Sequence, residues 1–543
     1  MIFPSFGIDV WGTATSMPAP KGLSVWEEST ERNRALAAAW ERLDPRFRPP
    51  NQVLGRRSAI GCVALEITQR CNLDCTLCYL SQSSESVKDV PLEIVFDRID
   101  RIRSTYGPGI SVQVTGGDPT LRKRAELVAI VKRVSERGLR PSLFTNGIKA
   151  TRDLLEELAE AGLWDVASHV DTTQRLKRYA TEQALNAVRR EYIERARGLN
   201  LAVIFNTSVH AGNLAEIPSL VRFFIENSDV VGMASFQVQA VTGRGELRSR
   251  DPAVSLAGIR DRITEGVAEG PLAWDAAILG HPECHKATML VTVGGRAMDI
   301  LSNQTLYERF LEELKDVPFD RRDVRATAGR VLGALLRTPY WATRGSVFLL
   351  RKLWPVRREL LAARGKTGKI TFFIQNFMDA DALDPERVAN CSFMVMTDDG
   401  PVSMCEHNAG RDGYILKPLA LPGAPESAPR WNPRTGAIDL PARAKHADER
   451  LDGTGISLSD RRGEGFERVA HASPQVAGVP SAGGAATAGL GVGGAGAEAG
   501  GAGAEAGGAG AEAGGAGAGA GGAGAGAGGA GGSPLGKVSA LQK

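Results

Sequence analysis

Strand-like and helical segments alternate between residues 61 and 241, and this alternation constrains the fold more than any other feature. Six apolar, β-branched segments are typical of strands, and each is followed by a helical pattern such as 153–159 or 220–225. The strand-like segments are 61–68, 110–115, 141–145, 166–171, 201–207 and 234–241. Such alternation favours parallel strands with right-handed crossovers, so we expect an α/β fold that binds its ligands at the carboxyl ends of the strands.

A C-x3-C-x2-C run, Cys71, Cys75 and Cys78, follows the first of these segments. Three thiolates would leave one iron of a four-iron cluster open. Structural zinc normally has four Cys or His ligands, and no matching pair follows closely. Seven cysteines in 543 residues are sparse, and odd in number, for a disulfide framework. We therefore favour iron-sulfur ligands over zinc, disulfides or chance.

The second strand-like segment ends in Gly116, Gly117, Asp118 and Pro119. Two glycines let a backbone edge approach a ligand closely, and an adjacent carboxylate accepts hydrogen bonds from an ammonium group. Alone, such a run is an ordinary turn. Behind a three-cysteine loop, it becomes a candidate ligand site.

Polar residues also follow the remaining strand-like segments. The candidates are Asn146, His169, Asp171, Gln237 and Arg244. Packing alone does not readily explain hydrogen-bonding groups at every strand end. For His169 the alternative is a histidine hydrogen-bonded within the core, since a neutral imidazole is often simply a satisfied buried group.

Together these residues resemble the radical S-adenosylmethionine (radical SAM) superfamily, over about Gly61 to Arg244. The family hallmark is the C-x3-C-x2-C run followed by an aromatic residue such as Tyr79, with a later Gly-Gly-Glu turn in which this chain has Asp118. The resemblance implies a partial (β/α)6 barrel, a [4Fe-4S] cluster on Cys71, Cys75 and Cys78, and SAM bound at the other strand ends. In the family the glycine turn lies against the methionine amino group, and the 145–147 and 168–171 stretches face the ribose or methionine part.

The resemblance also implies the chemistry. The reduced cluster would cleave SAM to a 5'-deoxyadenosyl radical that abstracts hydrogen from an unactivated C–H bond, with an external reductant such as flavodoxin or ferredoxin. No side chain is required as a general base for that step, so we assign no catalytic residue.

Cys284, Cys391 and Cys405 occur beyond the predicted barrel in polar sequence, two of them beside histidines. They predict a second metal centre, the alternative being three buried thiols. This half loosely resembles tetraether lipid synthases, which implies a lipid substrate and C–C coupling or methylation. Cofactor biosynthesis, peptide modification, and a non-enzymatic iron-sulfur or zinc protein remain alternatives.

Residues 320–369 contain thirteen Lys and Arg against three Asp and Glu, a net charge of +10, whereas the whole chain carries +3. Apolar runs containing Phe348 and Trp354 interleave these charges. Basic amphipathic segments bind anionic membranes, and the leucine-rich faces favour lipid over nucleic acid. A solvated helical face packed on the barrel is the alternative.

The ends of the chain carry little chemistry. We see no signal peptide and no apolar span, so we expect a cytoplasmic protein, peripheral to the inner membrane face. Residues 482–532 are nearly pure Gly and Ala, and we expect residues 482–543 to form a disordered tail. The predicted layout is an N-terminal extension (1–60), the barrel (61–270), a smaller C-terminal α+β domain (271–420) with the insert 320–369, a linker (421–481) and the tail.

Overall fold

The computed structural model describes residues 25–267, 270–315, 317, 324–425 and 427–439. The chain divides into two units at Asp448, and all of the described residues belong to the first. The predicted tail, most of the predicted linker and residues 1–24 of the predicted extension lie outside the described residues.

The predicted alternation is confirmed. Six strands lie side by side in chain order, and each neighbouring pair is parallel. The elements are α1 (Val25–Arg42), β1 (Cys62–Thr68), α2 (Leu92–Tyr106), β2 (Ser111–Gly116), α3 (Arg124–Glu136), β3 (Arg140–Thr145), α4 (Arg152–Glu160), β4 (Asp165–His169), α5 (Glu182–Ala196), β5 (Ala202–Val209), α6 (Ile217–Glu226) and β6 (Val231–Val238). Every residue of β1 and of β5 is buried, as expected for parallel strands covered on both faces.

The second half of the chain adds further strands and several helices. These are α7 (Leu256–Val267), β7 (His285–Val293), β8 (Arg296–Asp299), α8 (Gln304–Glu313), α9 (Val324–Leu335), α10 (Ser346–Leu353), α11 (Arg357–Ala362), β9 (Gly368–Asn376), α12 (Pro385–Ala389), β10 (Phe393–Thr397), β11 (Gly400–Ser403), α13 (Met404–Ala409), α14 (Arg411–Ile415), β12 (Leu419–Ala420), β13 (Arg430–Trp431) and β14 (Ile438–Asp439). Strands β12, β13 and β14 form a small antiparallel sheet.

The other C-terminal strands do not form a sheet of their own, which differs from the separate α+β domain that we expected. Strand β9 pairs in parallel with β6, and β10 pairs in parallel with β1, so one eleven-stranded sheet runs β11-β10-β1-β2-β3-β4-β5-β6-β9-β7-β8. An open six-stranded sheet leaves backbone donors and acceptors unpaired at both edges, and these strands satisfy them.

The sheet curls so that its two ends approach each other. Phe373 of β9 and Phe393 of β10 lie on opposite sides of the six central strands, yet their ring centroids are 6.0 Å apart. His285 of β7 also lies 6.0 Å from Phe393. This curvature encloses a barrel-like lumen, in agreement with the predicted partial barrel, and the carboxyl ends of β1 to β6 surround one mouth of it. No helix among the described residues is long and apolar enough to cross a membrane.

Candidate active site

The cysteine loop follows β1 and is held from two sides. The backbone N–H of Thr76 donates to the carbonyl of Thr173, beyond β4, at 2.9 Å. Beyond β6, the N–H of Arg244 donates to the carbonyl of Leu80 at 2.7 Å, and that of Glu246 donates to the carbonyl of Thr76 at 2.7 Å. The loop therefore lies across the strand ends, where ligands of parallel sheets bind.

The three thiols of this loop are partly exposed, and each of the other two affects the pKa of Cys75. Burial raises the pKa of Cys71 to about 11, with a smaller contribution from Cys78. Burial, Asp171 and the other two thiols raise the pKa of Cys75 well above its usual value. Within the described residues, no three His, Cys, Asp or Glu side chains are arranged around a single metal ion. Three thiolates at this spacing would each ligate a different iron of a four-iron cluster.

Arg244 is buried beside this set. Its guanidinium contacts the Cys78 sulfur, donates to Glu85 at 2.8 Å and lies 3.7 Å from Asp74. Arg244 thus places a positive charge next to one predicted cluster ligand, whereas we had grouped it with the SAM-binding residues. It supports the cysteine loop directly.

The two glycines of the predicted SAM-binding turn allow a close approach to protein backbone. A Cβ at Gly116, whose φ is +130°, would lie 1.8 Å from the carbonyl oxygen of Thr68, and one at Gly117 would lie 2.1 Å from that of Arg70. The N–H of Gly117 donates to Thr68 O at 2.9 Å. The turn therefore fastens the end of β2 to the start of the cysteine loop.

The contact between Asp118 and the SAM ammonium stays a prediction, but the Asp118 carboxylate already has partners within the protein. It is 1% exposed, and both of its oxygens are occupied by protein donors. One accepts from the backbone N–H of Thr120, which follows Pro119, at 2.9 Å, and also from the Thr120 hydroxyl. The other accepts from the Thr145 hydroxyl and the Asn146 N–H, both at 2.8 Å. Asp118 is a positioning residue for the ends of β2 and β3.

Asn146 lies at the predicted site but binds the protein as well. Its side-chain amide donates to Asn72 Oδ1, in the cysteine loop, at 2.6 Å. Its own Oδ1 accepts from the backbone N–H of Ile148 at 3.1 Å. The carboxylate of Asp118 and the amide of Asn146 thereby connect β3 to the cysteine loop.

Asp171 and His169 form a second buried unit. Asp171 is fully buried and accepts from the backbone N–H groups of Thr173 at 2.9 Å and Ser208 at 2.6 Å. His169 Nε2 lies 2.7 Å from Asp171 Oδ2, the oxygen that also accepts from Ser208. Burial would lower the pKa of His169, but Asp171 and Glu182 together raise it above its usual value. The role of Asp171 in binding SAM stays a prediction, and its carboxylate already accepts from these protein groups.

The lumen contains a cavity of about 170 Å³ that extends from the cysteine loop between the strands. Gln237, predicted to bind SAM, lines it together with Cys78 and Tyr79. Of the strand-end residues, Gln237 presents its side chain to open space, whereas Asp118 and Asp171 do not.

Glu66 and Arg411 are functional residues that the sequence prediction missed. Glu66 lies within β1, and Arg411 of α14 lies 2.9 Å from its carboxylate. Arg411 also donates to Gln69 at 3.2 Å and to Asn408 at 2.8 Å, and its guanidinium lies 4.7 Å from the Tyr79 ring centroid. Burial raises the pKa of Glu66, but Arg411 and His407 lower it to about 2 overall. A lone carboxylate in an apolar strand was the available signal, because a buried charge needs a partner.

Of the three C-terminal cysteines, Cys405 lines the cavity in the lumen, and Cys284 and Cys391 are buried. Burial raises the pKa of Cys284 to about 11 and that of Cys405 to about 12, and Cys391 contributes to both shifts. The Cys391 thiol donates to the Phe393 carbonyl at 3.0 Å, and Cys405 Sγ accepts from the Met378 N–H at 3.5 Å. These contacts and the lack of a single-ion arrangement in the described part of the chain give the second metal centre no support, and it stays a prediction.

The comparisons with known proteins agree with the cysteine loop and the parallel sheet. Residues 65–224 match the family described as the Radical SAM superfamily. Residues 65–224 are therefore a radical SAM domain. The expected fold class and superfamily are thus confirmed.

Three curated relatives show how far the similarity reaches. The chain is 30% identical over 187 residues to 7,8-dihydro-6-hydroxymethylpterin dimethyltransferase of Methanocaldococcus jannaschii, covering 33% of this chain and 36% of that protein. It is 30% identical to PqqA peptide cyclase of Bradyrhizobium diazoefficiens, covering 32% and 46%, and 35% identical to a probable GTP 3',8-cyclase of Pyrococcus abyssi, covering 29% and 51%. The chain therefore spans about a third to a half of the length of these relatives.

Among solved structures, native anSMEcpe with bound AdoMet aligns with a TM-score of 0.30 and 17% identity, covering 37% of this chain and 59% of that one. These relatives give the predicted similarity to tetraether lipid synthases no support.

Arg244 generates a prediction for the radical SAM domain. Replacing it by Gln removes a positive charge beside Cys78, so the more negative, reduced form of the cluster loses stabilisation. We expect Arg244→Gln to lower the cluster reduction potential by on the order of 60 mV, which corresponds to about 1.4 kcal/mol. An EPR-monitored redox titration measures this shift.

Arg248→Gln, an exposed neighbour that donates to the Gly243 carbonyl, is the control and should leave the potential unchanged. An equal potential in wild type and Arg244→Gln would contradict the assigned contact.

Proposed function

We propose that this chain is an enzyme that uses a [4Fe-4S] cluster on Cys71, Cys75 and Cys78 to cleave S-adenosylmethionine reductively, giving a 5'-deoxyadenosyl radical that abstracts hydrogen from an unactivated C–H bond. The observation that carries this proposal is the position of the three thiols. They lie in the loop that follows β1, close enough that Cys71 and Cys78 both raise the pKa of Cys75, and Cys78 lines the cavity in the lumen. A radical formed there would be shielded from water by the strands around it.

The protein's own groups orient the reactants. Gly116, Gly117 and Asn146 fix the cysteine loop against β2 and β3, and Gln237 offers an amide to the bound SAM. Asp118 and Asp171 act indirectly. Each accepts a hydrogen bond from a backbone N–H group at the mouth of the lumen and so positions that backbone. A low-potential protein such as flavodoxin or ferredoxin would supply the electron, and an oxygen-sensitive cluster favours the reducing cytoplasm.

The substrate class is a finer part of the proposal. The names of the relatives, a pterin dimethyltransferase and a peptide cyclase among them, favour a cofactor precursor or a peptide. A lipid, joined or methylated at carbon, is the second candidate, and it is favoured by the surface of the insert described below.

Anaerobic reconstitution tests the enzymatic proposal. We expect a brown protein with a four-iron spectrum that releases 5'-deoxyadenosine from SAM under reductant, measured by chromatography. Alanine at Cys71, Cys75 or Cys78 should abolish product formation to below about 1% of wild type, because each removes a cluster ligand. Cys62→Ala is the matched control, since Cys62 is fully buried in β1 and should retain both iron and activity.

A colourless, zinc-loaded protein without SAM cleavage would leave only the non-enzymatic alternative. The iron content of the triple alanine variant bears on the C-terminal cysteines. About four remaining irons would support an auxiliary cluster there, and loss of all iron would make those cysteines structural.

Peripheral membrane contact is supported by the surface of helices α9, α10 and α11. Ten large apolar side chains are exposed in the described part of the chain, and seven of them lie between residues 332 and 361. These seven are Leu332, Leu336, Val347, Leu349, Leu350, Trp354 and Leu361. Concentrated apolar exposure marks an interaction surface, and the surrounding arginines and lysines fit an anionic bilayer at the inner membrane face.

Vesicle flotation tests this surface. We expect the full chain to float with vesicles that contain phosphatidylserine and not with neutral vesicles. Leu350→Glu combined with Trp354→Glu should reduce the bound fraction at least tenfold, because both apolar contact and charge attraction are lost. Ile438→Glu, an equally exposed apolar position outside the insert, is the control. Equal binding to both kinds of vesicle, or none, would contradict membrane contact.

A further inference from the structure

The cavity in the lumen has mostly apolar walls. Side chains from seven central or added strands line it, and the apolar ones include Phe144, Ile204, Met233, Phe373, Phe393 and Val395. Its volume of about 170 Å³ is close to that of an engineered cavity that holds one benzene molecule. The group that enters beneath the cysteine loop is therefore about the size of a single ring.

The cavity offers no free charge to a ligand. Among the described residues no Lys, Arg or His side chain lines it, and its one Asp or Glu side chain is Glu66. Arg411 and Gln69 already occupy that carboxylate, at 2.9 and 2.7 Å. A phosphate or carboxylate in this lumen would be a buried charge without a partner, which is strongly unfavourable.

Three buried carboxamides face the cavity without a protein partner. Gln113 of β2, Asn206 of β5 and Gln375 of β9 are 8%, 5% and 6% exposed, and their side-chain amides make no hydrogen bond to any described residue. Gln375 is in register with Gln237 of β6, and Asn206 is in register with Ser235. The amides therefore line the lumen from two sides. Gln113 and Asn206 belong to the six central strands, and Gln375 belongs to the C-terminal strand β9.

Buried polar groups are normally hydrogen-bonded, so three unpartnered amides around one cavity indicate a ligand. A carboxamide presents a donor and an acceptor side by side, and the complementary group is another amide, a lactam or a heteroaromatic edge. Building on the function proposed above, we infer that the lumen recognises an uncharged, ring-sized substrate group that carries adjacent hydrogen-bond donor and acceptor atoms. Gln113 and Gln375 determine this specificity, and phosphorylated or anionic groups are rejected.

Nicotinamide and nicotinate are matched probes, because they share one ring and differ only in an amide against a carboxylate. Binding is measured by ligand-observed NMR to the full-length, cluster-reconstituted protein, with S-adenosylhomocysteine added to fill the cofactor site. We expect nicotinamide to bind with a Kd on the order of 1 mM, as weak ring-sized probes do, and nicotinate at least tenfold more weakly.

Gln113→Leu and Gln375→Leu should each weaken nicotinamide binding roughly tenfold, because each removes hydrogen-bonding partners. Gln304→Leu on α8 is the control, since its amide instead contacts Glu308 on the exposed surface. Gln375→Glu keeps the side-chain size, so it tests the amide where the leucine variant fails to fold. Iron content and circular dichroism verify the fold of each variant.

Equal binding of the two probes, no nicotinamide binding, unchanged binding in the glutamine variants, or displacement of nicotinamide by S-adenosylhomocysteine would each overturn the inference. Release of 5'-deoxyadenosine, measured separately, shows whether the proposed enzymatic function holds. SAM cleavage without discrimination between the two probes would contradict the substrate inference and leave the enzymatic proposal intact. Discrimination between the two probes without SAM cleavage would contradict the enzymatic proposal but still support recognition of neutral groups.

Discussion

The buried ion pair between Glu66 and Arg411 joins the two halves of the chain at the site. Glu66 belongs to β1, which leads into the cysteine loop, and Arg411 belongs to α14 near the end of the described residues. Through Gln69 and the ring of Tyr79, Arg411 contacts the loop, and through Asn408 it contacts the wall of the lumen. A charge this deeply buried is stable only while its partner is present, so the pair fixes the C-terminal helices over the cysteine loop.

The acids at the strand ends serve the same purpose. The carboxylate oxygens of Asp118 and Asp171 accept hydrogen bonds from backbone and hydroxyl donors of neighbouring strands, and these bonds fix the rim of the lumen. The polar groups that line the cavity are mainly thiols, hydroxyls and carboxamides. A site of this kind suits radical chemistry, where the protein orients reactants and excludes water and has no need of a free acid or base.

The sequence predicted the parts of this architecture that local pattern determines. Six strands, their parallel order and the cysteine loop follow from periodicity and spacing over short stretches. The pairing of β9 with β6 and of β10 with β1 depends on contacts between residues more than 100 positions apart, which no local pattern carries. For the same reason, the sequence alone suggested that the Asp118 carboxylate binds a ligand. Its hydrogen bonds to Thr145 and Asn146 are visible only once β2 and β3 lie side by side, and the amides of Gln113 and Gln375 meet only across the curled sheet.

Hydrogen–deuterium exchange of residues 69–80 tests the Glu66–Arg411 pair most directly. Arg411→Met leaves Glu66 as an unpaired buried charge, and exchange in the cysteine loop should accelerate on the order of a hundredfold. Glu66→Gln combined with Arg411→Met removes both charges and should restore part of that protection, as a double-mutant cycle requires of coupled residues. The same exchange rates in wild type and both variants would show that the loop is held independently of the pair.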